Sequence, residues 1–202
     1  MSQSRPTYIF LGSSVTYGAD GRSMCDYLSG TMDAEILKWA VSGTTLSSAY
    51  ENSYVARLQA AIGKQEYCDH FICQLSTNDA GKSCGLGIIS NSFSTEDFDT
   101  ATIIGAMEFI IASARAKWNC PVSFYTGTYF ENQRYADMVA ALLKLAEKWR
   151  IGVIDLYNDA EMRAVDAGSY KRWMLDPVHP TWDGYVEWWG PRFREYLETH
   201  TK

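Results

Sequence analysis

Short runs of β-branched and aromatic residues alternate along the chain with longer segments whose apolar residues recur every three or four positions, the sequence form of a parallel α/β sheet. Tyr8-Ile9-Phe10-Leu11 stops at Gly12-Ser13-Ser14, and Ile36 to Val41 stops at Ser42-Gly43. Phe71 to Leu75 is closed by Ser76-Thr77-Asn78-Asp79, Val122 to Thr126 by Gly127, and Val153 to Tyr157 completes a predicted set of five strands. Amphipathic helices are predicted over Tyr54 to Ile62, Phe98 to Trp118, Tyr135 to Trp149 and Trp182 to Leu197; Val139, Leu142, Leu143 and Ala146 form one apolar stripe. Trp149, Trp188 and Trp189 read as core at this spacing. Pro191, lacking a backbone N–H, predicts a break in the last helix near Gly190. Gly81 to Ser94 follows neither pattern and reads as a loop whose length suggests that it borders a site.

Composition narrows the classes. With 202 residues, 47% hydrophobic and 21% charged, the chain is expected to form one compact domain over 1–202. Eighteen Lys and Arg against 24 Asp and Glu leave a net charge of −6, which argues against nucleic acid as a partner. The longest apolar stretches are interrupted by Glu108, Lys144 or Glu147, so no membrane span is expected, and the opening residues lack the apolar region and cleavage site of a secretory signal. Five scattered cysteines (Cys25, Cys68, Cys73, Cys84, Cys120) without C-x-x-C spacing read as reduced and mostly buried in a cytoplasmic protein, with no metal site. The sequence carries no signal for an oligomeric state.

In open α/β sheets ligands bind beyond the carboxyl ends of the strands, so chemistry is sought there. Gly12-Ser13-Ser14-Val15-Thr16-Tyr17-Gly18 puts two hydroxyls on the turn after the first strand, a position that suits a nucleophile and equally a helix cap. Near the other end, Asp176-Pro177-Val178-His179-Pro180 sets a carboxylate and an imidazole three apart in a proline-stiffened segment. A buried carboxylate there fixes the imidazole tautomer and leaves the second ring nitrogen to accept a serine proton. Of three histidines, His70 and His200 read as structural. Gly43 offers a closely approachable N–H and Asn78 a side-chain amide, donors of the kind an oxyanion needs.

Four such blocks in this order resemble the SGNH (GDSL-like) hydrolases over nearly the whole chain. Gly12-Ser13-Ser14 stands for the family's Gly-Asp-Ser, Gly43 for its second block, Ser76-Thr77-Asn78-Asp79 for Gly-x-Asn-Asp, and Asp176 to Pro180 for Asp-x-x-His-Pro. Ser13 and Ser76 depart from the pattern, and the first departure leaves Ser13 beside Ser14 as a second candidate nucleophile. The resemblance implies a three-layer α/β/α sandwich with a five-stranded parallel sheet, flavodoxin-like in form. It further implies Ser14 as nucleophile, His179 as base, Asp176 as its orienter, and Ser14 N–H, Gly43 and Asn78 as oxyanion hole, without cofactor. Phosphate-binding and dinucleotide glycine patterns and a G-x-S-x-G elbow are absent from the chain.

Tyr17, Tyr125, Tyr129, Trp182 and Tyr185 lie beside or just after these blocks and suggest an aromatic pocket wall able to stack on sugars. The expected partner is a small-molecule ester, with a short acyl group, acetyl on a carbohydrate being the example. The alternatives are a thioesterase or lysophospholipase acting on longer acyl chains, and a catalytically silent carbohydrate- or acyl-binding module.

Overall fold

The computed structural model describes residues 5–200. Met1 to Ser4, the first of the opening residues expected to carry no secretory signal, lie outside them. Five strands, β1 (Thr7–Gly12), β2 (Glu35–Ala40), β3 (His70–Gln74), β4 (Val122–Tyr125) and β5 (Gly152–Ile154), form one sheet in the order β2-β1-β3-β4-β5, every pairing parallel. The helices are α1 (Ser14–Tyr17), α2 (Met24–Thr31), α3 (Tyr54–Ile62), α4 (Thr77–Ala80), α5 (Ile103–Trp118), α6 (Gln133–Trp149), α7 (Ala160–Arg163), α8 (Ala167–Trp173), α9 (Trp182–Gly184) and α10 (Gly190–His200).

The period of two along each central strand divides the core into two layers. Ile9 and Leu11 of β1, Phe71 and Cys73 of β3, and Val122 and Phe124 of β4 pack with α3, α5 and α6 on one face. Tyr8, Phe10, Ile72 and Tyr125 point the other way, against α2, the π-helical turn Tyr185–Trp189 and α10. Helices on both faces of a parallel sheet make the three-layer α/β/α sandwich expected from the sequence. Trp149, Trp188 and Trp189 are all core.

Element ends follow local chemistry. Ser53 caps α3 by accepting from Ala56 N–H, and Asn132 caps α6 by accepting from Tyr135 N–H. The helix expected from Phe98 begins instead at Ile103, because Thr102 is its cap and accepts from Gly105 N–H. Ser23 and Asp26 form a capping box that starts α2, an element the apolar periodicity did not reveal. The break expected at Pro191 is a π-helical turn: without a proline N–H the ladder widens, and Gly190 N–H donates to the carbonyl of Tyr185.

Candidate active site

The polar groups converge at the carboxyl edge around β1, where the strand order reverses direction, with β2 on one side and β3 on the other. Directly after β1, Ser13 is fully buried; its N–H donates to Gln74 Oε1 at 2.9 Å and its hydroxyl lies 3.4 Å from the same oxygen. Thr16 Oγ1 also donates to Gln74 Oε1, at 2.8 Å. The turn can close this tightly only around a glycine: a Cβ on Gly12 would lie 1.6 Å from Thr16 Oγ1 and 2.8 Å from Gln74 Oε1. Ser14 is left at the first position of α1, half-buried, with its hydroxyl directed outward. Of the two serines, Ser14 meets the histidine.

His179 arrives on a short loop closed by the antiparallel bridge between Met174 and Pro180 and by a hydrogen bond from Leu175 N–H to the carbonyl of His179. Inside the loop, Asp176 Oδ1 accepts from the N–H groups of Val178 and His179 at 2.7 and 2.9 Å, while Oδ2 lies 2.8 Å from His179 Nδ1. Nδ1 donates to the carboxylate, which leaves Nε2 as an acceptor 2.8 Å from Ser14 Oγ. The carboxylate is not buried as the sequence reading expected: the Asp176 side chain is 49% exposed, because the loop stands on the rim of the molecule. Partial burial pushes its carboxyl up, yet the Val178 N–H, the His179 imidazole and the His179 N–H together hold it below the usual carboxylate range.

Two loops complete the edge. Gly43 has φ +78°, a left-handed conformation that suits glycine, and its N–H has no acceptor among the described residues. Asn78 spends one amide proton on the carbonyl of Thr44 at 2.9 Å, and the second is available to a ligand. Ser14 N–H lies in the first turn of α1, where it has no intrahelical acceptor. Together, these groups can accept a proton from a hydroxyl and donate hydrogen bonds to a developing oxyanion.

Three residues that fix this geometry were given no role from the sequence, although Asp79 closes the third block. Asp79, fully buried, accepts from Leu46 and Ser47 N–H at 2.8 and 3.1 Å and so pins the Gly43 loop to α4; burial pushes its carboxyl up against the opposing hydrogen bonds. Arg57 of α3 donates to the carbonyls of Gly12 and Trp39 and to Thr44 Oγ1, binding together the ends of β1 and β2. Gln74 holds the serine turn. Gln74 carries a signal in the sequence, a polar side chain closing an apolar strand; an arginine on an amphipathic helix reads simply as a solvated face.

The expected aromatic wall is only partly realised. Tyr125 is fully buried with its hydroxyl 2.5 Å from Thr16 Oγ1, and Tyr185 is buried with its hydroxyl donating to the carbonyl of Val15. Both contribute to the core under the serine turn, because β4 and the π-helical turn direct them inward, and neither can line a pocket. Tyr17 and Tyr129 are exposed, Trp182 is half-buried beneath the Arg22 guanidinium. Tyr129, Phe130, Val165, Tyr170 and Trp188 line a groove of about 800 Å³ that reaches Pro177 on the histidine loop, and Arg163 sits over the Tyr129 ring at 4.2 Å. The loop after α4 turns away from this edge: its backbone meets α5 through Gly85 and Leu86, and its link to the site is Cys84 Sγ, 3.8 Å from Asp79 Oδ1.

An open parallel sheet with this strand order and a polar cluster at its switch point is a flavodoxin-like sandwich built to bind a ligand at its carboxyl edge. The chain belongs to the GDSL-like lipase/acylhydrolase family, which it matches over residues 10–186, and is a hydrolase of ester substrates. Among solved structures it is similar to a protein of Lactobacillus plantarum (TM-score 0.79, 22% identity, covering 98% of this chain and 99% of that one). It is also similar to a member of the lipolytic G-D-S-L family from Veillonella parvula (0.68, 17%, 96% and 98%) and to the aryl esterase of M. smegmatis (0.68, 14%, 96% and 99%). At these identities the likeness is one of fold. No curated protein sequence matches the chain at a significant level. Among the described residues no helix is long and apolar enough to cross a membrane.

Proposed function

We propose that the protein is a cytoplasmic serine esterase acting through Ser14, His179 and Asp176, with a short acyl group, acetyl above all, on a small or carbohydrate-linked alcohol as substrate. The observation that carries this reading is the file of 2.8 Å contacts from Ser14 Oγ to His179 Nε2 and from His179 Nδ1 to Asp176 Oδ2. In this mechanism Ser14 Oγ attacks the ester carbonyl as His179 Nε2 takes its proton, and Asp176 steadies the imidazolium. The tetrahedral oxyanion is held by Ser14 N–H, Gly43 N–H and the free amide proton of Asn78. His179 then protonates the leaving alcohol, and a water deprotonated by the same nitrogen releases the acid and restores Ser14. Tyr17, Tyr129 and Trp182 are the aromatic surfaces left for the alcohol. Five cysteines, odd in number and without C-x-x-C spacing, support a reducing compartment.

The apolar lining of the groove beside Pro177 favours a second reading, in which a longer acyl chain lies there and the enzyme is a thioesterase or lysophospholipase. Hydrolysis of p-nitrophenyl acetate, butyrate and octanoate by the wild type and by Ser14→Ala separates the cases. The fastest turnover on acetate, lost in the variant, is the expected result. Rates rising steadily with chain length select the second reading, undiminished turnover by Ser14→Ala overturns the triad, and a wild type inert on all three esters selects a narrow-specificity enzyme.

A further inference from the structure

At the edge of the sheet opposite the triad, two thiols face each other. Cys68 lies two residues before β3 and Cys120 two residues before β4, and their Sγ atoms are 3.8 Å apart. Parallel pairing of β3 with β4, Phe71 beside Val122, holds both attachment points in place, and Phe71 N–H donates to the carbonyl of Pro121 between them. Neighbouring strands bring backbones within the separation that a disulfide spans, so closing from 3.8 Å to a bond of about 2 Å needs side-chain rotation rather than movement of the sheet.

The two sulfurs are not equivalent. Cys120 is half-buried and reachable from solvent, whereas Cys68 is 8% exposed, at the floor of a groove lined also by Asp69, Lys117 and Trp118. A hydrogen bond from Cys68 holds the Cys120 thiol below its ordinary value against the opposing effect of burial, while Cys68 itself is pushed up. This is the asymmetry of an attacking thiol and a resolving thiol. The remaining cysteines have no such arrangement: Cys25 and Cys73 are buried in the core and pushed up by burial, and Cys84 packs against Asp79.

We infer that Cys68 and Cys120 are a redox modification site, a dithiol that small-molecule disulfides convert reversibly into a cross-link between the amino ends of β3 and β4. The Cys120 thiolate attacks one sulfur of the small disulfide, forming a mixed disulfide and releasing one thiolate. Cys68 then loses its proton and attacks the Cys120 sulfur, expelling the second thiolate. Two protein thiols and one small disulfide become one protein disulfide and two small thiols, and excess small thiol reverses the exchange. The cross-link ties the strand that leads to Asn78 to its neighbour while leaving the carboxyl edge open.

The test exposes the folded full-length chain to oxidised glutathione, quenches in acid, and maps the cysteines by alkylation, proteolysis and mass spectrometry. A peptide pair joined through Cys68 and Cys120, with Cys25, Cys73 and Cys84 recovered as thiols and the cross-link reversed by dithiothreitol, is expected, together with a raised Tm for the oxidised form. In Cys68→Ser, which lacks the resolving thiol, glutathione should remain on Cys120. Recovery of both wild-type cysteines as thiols, or a lasting glutathione adduct on wild-type Cys120 without the cross-link, overturns the proposal.

Discussion

Gln74 and Asp79 lie five positions apart and do the same work for neighbouring loops: each presents side-chain oxygens to backbone N–H groups and so fixes where a loop after a strand can go. A buried acceptor of this kind is costly to leave unmatched, which makes the loop geometry unique rather than one of several. Asn78 has one amide proton tethered to the Thr44 carbonyl, and the proposed function assigns the other to the oxyanion. Asn78→Ala should therefore lower kcat by about 10²- to 10³-fold, the usual loss for one oxyanion donor, while KM changes far less. Steady-state kinetics on p-nitrophenyl acetate checks this; an unchanged kcat would remove Asn78 from the oxyanion hole.

At the scale of elements, a charged pair holds the two long helices together. Glu108, buried in the middle of α5, bonds Lys148 and Trp149 of α6 and the N–H of Ser90. The Lys148 ammonium also reaches the carbonyls of Ser90 and Ser92 and lies over the rings of Phe93 and Trp149 at 4.8 and 5.0 Å. The long loop is thus fastened to α5 and α6. Breaking the pair strands a carboxylate in the core, so Lys148→Met should destabilise by about 3 kcal/mol, whereas Lys148→Met with Glu108→Gln should recover part of that loss. Urea unfolding of the two variants measures the difference; equal stabilities of single variant and wild type would show the pair to be energetically idle.

Across the whole molecule, the two ends of the sheet differ: the carboxyl edge gathers the polar groups of the candidate site, and the amino edge holds buried structural groups beside the Cys68–Cys120 pair. His70 belongs to the latter, fully buried in β3 with its Nε2 2.8 Å from Ser123 Oγ. Burial first, and the charge of His200 second, hold its pKa down to about 4. The unfolded chain binds this proton near pH 6.5 and the folded one only near 4, so stability falls as pH drops through that window, by on the order of 3 kcal/mol for this group. Denaturant midpoints at pH 7, 5.5 and 4.5 should fall more steeply for the wild type than for His70→Gln; parallel declines would mean that His70 does not contribute.

Hydrophobic periodicity alone determined the five strands, the four long helical segments and the parallel α/β class, because a sheet covered on both faces requires apolar runs of strand length separated by amphipathic helices. The punctuation after the first three strands likewise marked Ser14, Gly43 and Asn78 as candidates, since turn residues end strands and ligands bind at those ends, and the three-residue spacing before the last helix marked Asp176 and His179. Only the tertiary structure shows that Ser14, and not Ser13, stands beside His179, because the turn is set by an acceptor, Gln74, more than sixty residues away in sequence order. It alone turned Tyr125 and Tyr185 inward, since adjacency to a motif says nothing about which face a side chain takes. The same holds for the neighbours Cys68 and Cys120: two strands distant in the chain become partners only when the sheet assembles, and contact between them is a property of the fold and not of spacing.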